Sequence, residues 1–70
     1  MSEIKAPMGG KVIKILVNPG DAVAEDDEVL VLEAMKMEMP IASEITGSVD
    51  EIKVKVGDTV EADQILLTLK

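Results

Sequence analysis

The segment Val17-Asn18-Pro19-Gly20-Asp21-Ala22-Val23 returns 37 residues later as Val54-Lys55-Val56-Gly57-Asp58-Thr59-Val60. Extending this register aligns residues 4–33 with residues 41–70, and eleven of the thirty aligned positions are identical. Amino-acid composition would give roughly two or three identities by chance. The chain therefore consists of two like halves, and whatever fold one half adopts is expected to recur in the other.

The hydrophobic pattern is typical of β-strands. Val, Ile and Thr are abundant, the apolar runs are short, and Gly, Pro or Asp bounds them, whereas no stretch has sustained helical spacing. The pattern predicts eight strands, near residues 3–6, 11–17, 22–24, 28–34, 37–42, 47–54, 59–61 and 65–69.

The turns and the irregularities between them repeat as well. In the turn at residues 18–21, Pro19 presets φ at the second position and Gly20 accepts a positive φ at the third, and Gly57 takes the same role in the second half. A one-residue slip in the apolar alternation predicts a β-bulge at residues 13–14 and another at residues 50–51.

These features predict an all-β protein, a flattened β-barrel or sandwich with pseudo-two-fold symmetry, in which residues 1–70 form a single domain. Closing the sheets protects edges that would otherwise promote aggregation. Residues 29–32 and 65–69 are apolar on both faces, so they are predicted to be the most enclosed strands.

Composition excludes several functions. A net charge of −7 makes the chain acidic and argues against nucleic-acid binding. The sequence has no His and no Cys, the usual zinc ligands, so no metal site is expected. No apolar run reaches the roughly 20 residues of a membrane span, so no membrane insertion is expected. With no cysteine and no secretory pattern at the N-terminus, a cytoplasmic protein is expected.

The seven residues 34–40 belong to neither half, and they place Lys36 between Met35 and Met37. Strands ending near Ala34 and resuming near Met37 would put Lys36 at the tip of a hairpin that contains no Gly or Asn. When the residues of a turn disfavour the turn's conformation, a functional requirement for those residues is indicated. The alternative is a solvated lysine beside methionines that only fill gaps in the core.

A lysine at a rigid hairpin tip suits covalent attachment of a prosthetic group, because its amine is held away from the domain. A solvated lysine is protonated at neutral pH. A separate modifying enzyme must therefore remove the proton and supply the activated acyl group.

The string EAMKME at residues 33–38 resembles the attachment motif of biotinyl domains, the biotin carboxyl carrier family. The resemblance spans nearly the whole chain and includes APMGGKV (6–12), VNPGDAV (17–23), VLVLEAMKM (29–37) and IASEITGSV (41–49). It implies two four-stranded antiparallel sheets and biotin joined by an amide to Lys36. It also implies that biotin protein ligase recognises the surrounding motif, namely Glu33, Ala34, Met35, Met37 and Glu38.

By this resemblance the chain is a non-catalytic, monomeric carrier whose swinging arm moves carboxyl groups between active sites. The implied partners are biotin carboxylase and carboxyltransferase or decarboxylase subunits. No loop is inserted within residues 13–32, which disfavours carriers that have an extra loop near the biotin. The substrate and the parent complex stay open, as does whether the chain stands alone.

Three other functions are considered. A lipoyl carrier, or a dual biotin/lipoyl attachment protein, shares the barrel, but Met35 and Met37 argue against lipoylation. A docking module without a cofactor is disfavoured by the attachment motif. An autonomous enzyme is least favoured, because the acidic run at residues 26–28 lacks calcium-loop spacing and is expected to be a solvated loop.

Overall fold

The computed structural model describes residues 2–70, and the described chain is built from strands and turns. The eight strands are β1 (Ser2–Lys5), β2 (Gly10–Ile15), β3 (Ala22–Val23), β4 (Glu28–Ala34), β5 (Met37–Ala42), β6 (Gly47–Ile52), β7 (Thr59–Val60) and β8 (Ile65–Leu69). All eight predicted strands are present, and the bounds of β4, β5 and β8 are those predicted. No helix in residues 2–70 is long and apolar enough to cross a membrane.

The predicted ends of two strands were wrong by two residues. The sequence predicted ends at residues 17 and 54, whereas β2 ends at Ile15 and β6 ends at Ile52. Leu16 N–H still donates to the Val29 carbonyl and Lys53 N–H to the Leu66 carbonyl, both at 2.8 Å. Beyond those bonds the chain leaves the sheet for the next turn. The two equivalent connections, residues 16–21 and 53–58, therefore have the same length.

The strands form two four-stranded sheets of antiparallel pairs, in the orders β1-β8-β6-β3 and β5-β4-β2-β7. An offset of 37 residues relates β2 to β6 and β3 to β7 along their whole length, and β1 to β5 and β4 to β8 along most of it. Exchanging each strand for its equivalent converts one sheet into the other. Each sheet takes two strands from each half of the chain. The halves are thus interlocked, and the predicted fold class with its pseudo-two-fold symmetry is confirmed.

Both predicted bulges are present. The register of β2 against β4 shifts between Val12 and Lys14, and that of β6 against β8 shifts between Val49 and Glu51. An extra residue at each point bends the strand and changes which side chains face inward. Val12 and Val49, which precede the bulges, are buried in the core.

The core lies between the two sheets and is aliphatic. The inner strands β4 and β8 supply Leu30, Leu32, Leu66, Leu67 and Leu69, each with no exposed surface. This confirms that the two apolar runs are the most enclosed strands. The inner strand β4 continues directly to Ala34, so the hairpin that follows it rises from one of the best-packed parts of the molecule.

The two glycine turns have the predicted conformation, with φ of 93° at Gly20 and 98° at Gly57. In each turn a carboxylate closes the loop: Asp21 Oδ2 accepts from Asn18 N–H at 2.8 Å, and Asp58 Oδ2 from Lys55 N–H at 2.9 Å. Duplication thus extends to the hydrogen bonds that hold the turns.

Replacing Gly20 or Gly57 with valine is expected to lower the free energy of unfolding by about 1–3 kcal/mol, because a β-branched residue resists a positive φ. A Cβ at either position meets no atom within 4 Å, so the cost comes from the backbone and not from crowding. Chemical denaturation measures the effect, with Gly9→Ala as a control at a glycine without positive φ. Unchanged stability in both valine variants would contradict the turn assignment.

Candidate functional site

Lys36 lies at the apex of the β4–β5 hairpin. Ala34 pairs with Met37 across the two strands, which leaves Met35 and Lys36 as a two-residue turn. Both turn residues have positive φ, 53° at Met35 and 65° at Lys36. Two successive positive φ angles are the pattern of a type I′ turn, the turn that suits the twist of a β-hairpin. The predicted position of Lys36 at the hairpin tip is confirmed.

The turn is made from residues that disfavour its conformation. Type I′ turns favour Asn-Gly because non-glycine residues in the left-handed region cost about 1–2 kcal/mol each. Here both positions carry long side chains instead. The largely buried strand β4 and its pairing with β5 hold this strained apex in place, and strain of this kind clusters at functional sites.

The Lys36 side chain is exposed to solvent. The ion pairs within residues 2–70 are Lys53–Glu51 at 2.8 Å and Lys70–Asp50 at 3.7 Å, so Lys36 has no carboxylate partner in the described chain. No side-chain hydrogen bond in the same residues involves its Nζ atom either. The amine is therefore free to reach an enzyme that comes to the hairpin.

The two acidic motif residues lie directly behind the apex. Glu33 on β4 pairs with Glu38 on β5, and both are exposed. Like charges directly opposite each other on a sheet weaken the pairing. The hairpin thus carries two carboxylates that do not stabilise it, and they give the base of the hairpin a negative surface.

Four methionines surround the turn and form what we call the methionine patch: Met8, Met35, Met37 and Met39. They line a shallow apolar depression together with Ala34, Glu38 and Pro40. Met35 is 85% exposed and Met37 is 71% exposed, whereas Met39 is half-buried and packs against the core. All four methionines among the described residues therefore gather beside the one apical lysine.

Met8 is the site residue that sequence reasoning missed. It lies in the connection between β1 and β2, far from Lys36 in sequence, and is 38% exposed. Its proximity to the hairpin depends on how β2 packs against β4. A Cβ placed on Gly10 would lie 2.7 Å from the Glu33 carbonyl oxygen, so glycine permits this close approach at the base of the hairpin.

The chemistry available at the site is limited to what an exposed primary amine can do. No group of three or more His, Cys, Asp or Glu side chains in residues 2–70 is arranged to hold a metal ion. The neighbours of Lys36 are thioethers and two carboxylates rather than an arranged proton-transfer chain. The arrangement fits acylation of the amine by an external enzyme.

Comparison with known proteins identifies the protein family to which the chain belongs. The family model described as "Biotin-requiring enzyme", which covers biotin and lipoyl attachment, matches residues 2–69. The chain belongs to this family of biotin/lipoyl attachment domains.

Several individual proteins are similar to this chain in sequence. The chain is 47% identical over 64 residues to a biotin carboxyl carrier protein of Streptococcus mutans, covering 91% of this chain and 49% of that protein. It is 42% identical over 69 residues to the human mitochondrial propionyl-CoA carboxylase alpha chain, covering 99% of this chain and 10% of that one. It is 41% identical over 66 residues to a biotin/lipoyl attachment protein of Bacillus subtilis, covering 94% and 90%.

Structural similarity agrees with the sequence relationship. The fold superposes on part of the Kluyveromyces lactis urea carboxylase crystal structure with a TM-score of 0.92 and 32% identity, covering 97% of this chain and 6% of that one. The chain thus spans about half the length of the Streptococcus mutans relative and a small fraction of the two carboxylases.

Proposed function

We propose that the chain is a biotin carboxyl carrier and that Lys36 is its attachment residue. The observation that carries the proposal is the exposed lysine, without an ion-pair partner among residues 2–70, at the apex of a strained two-residue turn. Biotin is the cofactor that the family description names, and the relatives include a biotin carboxyl carrier protein. The chain acts as a carrier and does not itself catalyse the reaction.

The residues present fit a covalently bound biotin. The amine of Lys36 can form an amide with the biotin carboxyl group, and the chain needs no binding pocket, because the bond itself holds the cofactor. The bound group supplies one function, which is to carry a carboxyl group between separate active sites. The hairpin supplies the position, since an apex anchored on β4 extends the arm away from the barrel.

We propose roles for the motif residues that are consistent with the same geometry. Met35 and Met37 flank the amine and offer apolar contact to biotin protein ligase, while Glu33 and Glu38 form the acidic face behind them. Ala34 is the last residue of β4 and its small side chain lines the patch. The ligase must take the proton from Lys36, because the hairpin offers no arranged base.

The proposed enzymatic partners are a biotin carboxylase and a carboxyltransferase or decarboxylase. Relatives that contain this domain are carboxylases, which supports that class of partner. A net charge of −7 favours partner surfaces that are basic near the docking site. We propose that the carrier works as a monomer, because its strands form two sheets within one chain. We also propose a cytoplasmic location, which is consistent with a sequence without cysteine.

A two-step assay tests the proposed function. The purified apo-protein is incubated with biotin protein ligase, ATP and biotin, and the product is then incubated with a biotin carboxylase, ATP and labelled bicarbonate. We expect the label to become bound to the protein only after the first step. Biotinylated protein that accepts no label from several biotin carboxylases would contradict the carboxyl-carrier role.

Lipoate is the second candidate cofactor, because one relative is a biotin/lipoyl attachment protein. Biotin is favoured by the two methionines that flank Lys36. Parallel reactions with biotin protein ligase and with a lipoate ligase separate the candidates by the mass of the adduct. Faster lipoylation than biotinylation would reverse the assignment.

Replacing both Met35 and Met37 with alanine is expected to lower kcat/KM for biotinylation about tenfold or more while changing the melting temperature little. Both side chains are mostly exposed, so they contribute more to recognition than to packing. Val56→Ala is the matched control, since Val56 is 62% exposed and lies outside the hairpin. Equal ligation kinetics for the double variant and the control would remove the methionines from recognition.

A further inference from the structure

The methionine patch has a chemical property that an apolar contact surface does not require. Its four side chains are thioethers, and no leucine, isoleucine or valine replaces any of them beside Lys36. Gap filling explains Met39, which packs against the core. It does not explain Met35 and Met37, which are 85% and 71% exposed and fill no space in the interior.

Exposed thioethers differ from other apolar side chains because oxidants convert them to sulfoxides. The product is polar and chiral, and it disrupts methionine-rich contact surfaces. Met35 and Met37 sit on either side of the residue that must enter an enzyme active site. A sulfoxide at either position would have to be desolvated each time a partner contacts the apex.

We propose that Met35 and Met37 are a reversible oxidation site that controls access to Lys36. Hydrogen peroxide is the oxidant: its O–O bond breaks, one oxygen atom forms the S–O bond with two electrons from sulfur, and the other leaves as water. Methionine sulfoxide reductases reverse the change with a dithiol as reductant: the S–O bond breaks, the oxygen leaves as water, and the dithiol is oxidised to a disulfide. This inference rests on the proposed function, because it concerns the modification of the same lysine.

The exposures predict an order of oxidation. Met35 and Met37 react first, Met8 follows at 38% exposure, and half-buried Met39 reacts last. Oxidation confined to Met35 and Met37 leaves the melting temperature nearly unchanged, since neither side chain belongs to the core. Oxidation of Met39 lowers the melting temperature, because its side chain packs against the core.

The experiment uses graded hydrogen peroxide on the apo-protein, followed by digestion after glutamate. Cleavage after Glu33 and Glu38 releases residues 34–38, which contain Met35 and Met37, whereas Met8 and Met39 fall in the separate fragments 4–25 and 39–44. Mass spectrometry then gives the oxidation of each region. Biotinylation by biotin protein ligase is measured on the same samples.

We expect kcat/KM for biotinylation to fall about tenfold when the fragment 34–38 carries two added oxygen atoms, one on Met35 and one on Met37. The loss arises because each polar sulfoxide must be desolvated when the ligase contacts the apex. Sulfoxide reductases should restore the rate. In a Met35→Leu, Met37→Leu variant, the ratio of treated to untreated rate should stay near one, whatever its starting rate. Leucine is close to methionine in volume but cannot form a sulfoxide.

Three results would overturn the inference: an unchanged rate when Met35 and Met37 are fully oxidised, an equal relative loss in the leucine variant, or oxidation of residues 39–44 before residues 34–38. These results differ from failure of the proposed function. Untreated protein that the ligase does not modify at Lys36 contradicts the carrier role itself. Modified untreated protein whose oxidised form reacts equally fast contradicts only the redox control.

Discussion

Lys36→Arg is expected to give a folded protein that no biotin ligase modifies. The guanidinium of arginine keeps its proton and cannot act as the nucleophile, while its stem and charge resemble those of lysine. Because Lys36 is exposed and unpaired in the described structure, the free energy of unfolding should change by less than about 0.5 kcal/mol. Avidin binding after co-expression with the ligase, together with a melting curve, measures both effects.

Lys55→Arg is the control for this substitution. Lys55 is also an exposed lysine next to a turn, but it lies between β6 and β7 and away from the hairpin. The control should be biotinylated like the wild type. A Lys36→Arg protein that still binds avidin, or that melts at a much lower temperature, would show that Lys36 is not the attachment residue or that it has a structural role.

Replacing the apex with Asn-Gly, as Met35→Asn with Lys36→Gly, is expected to stabilise the protein while removing its function. Met35 and Lys36 have φ of 53° and 65°, and Asn-Gly is the sequence preferred by a turn with two positive φ angles. Relief of the strain should exceed the added entropy of glycine in the unfolded chain, for a net gain of about 1 kcal/mol. For a domain of this size that gain raises Tm by roughly 4–8 °C.

The matched control is Met37→Asn. Met37 is also an exposed methionine, but it is the first residue of β5 and is not among the residues with positive φ. Asparagine there removes a methionine without relieving the turn, so stability should not rise. An Asn-Gly variant that melts at or below the wild-type temperature would mean that the apex stores no strain.

Much of the fold could be predicted because the sequence is duplicated, so each turn and bulge is indicated independently in both halves. The turns at Gly20 and Gly57 and the bulges after Val12 and Val49 each appear twice in sequence, and each appears twice in the structure. The unduplicated segment also indicated the apical position of Lys36 before the strands were known. The particular residue that carries biotin stays a proposal, since it rests on the motif and on accessibility.

Other features could not be read from local sequence. Asp26 and Asp63 are identical in the two halves and have positive φ of 74° and 67°. Aspartate tolerates this conformation better than most residues, but the residue type alone does not show that these two adopt it. Each follows from a turn closed by a side chain: Asp27 Oδ2 accepts from Ala24 N–H at 2.9 Å, and Gln64 Oε1 from Glu61 N–H at 3.0 Å. Asp26 and Asp27 therefore belong to a structural turn, and Glu28 begins β4.

A second pair of register shifts was also missed, between Glu28 and Leu30 against β5 and between Ile4 and Lys5 against β8. The extra residue lies in an inner strand in both cases, Val29 in β4 and Leu66 in β8. Both inner strands are apolar on both faces, so a one-residue slip leaves no trace in their alternation. Met8 was missed as a site residue for a different reason. Its place beside the hairpin is a consequence of tertiary packing, and its surrounding sequence reads as an ordinary loop.

The central claim is that Lys36 alone presents the amine that receives biotin. The seven basic residues are all lysines, so the ligase has six alternatives. Cleavage after glutamate isolates residues 34–38 with Lys36 as the single lysine, and the biotinylated protein should carry one biotinyl group, entirely on that fragment. Biotin on any other fragment, or unmodified residues 34–38 in protein that carries biotin, would contradict the account.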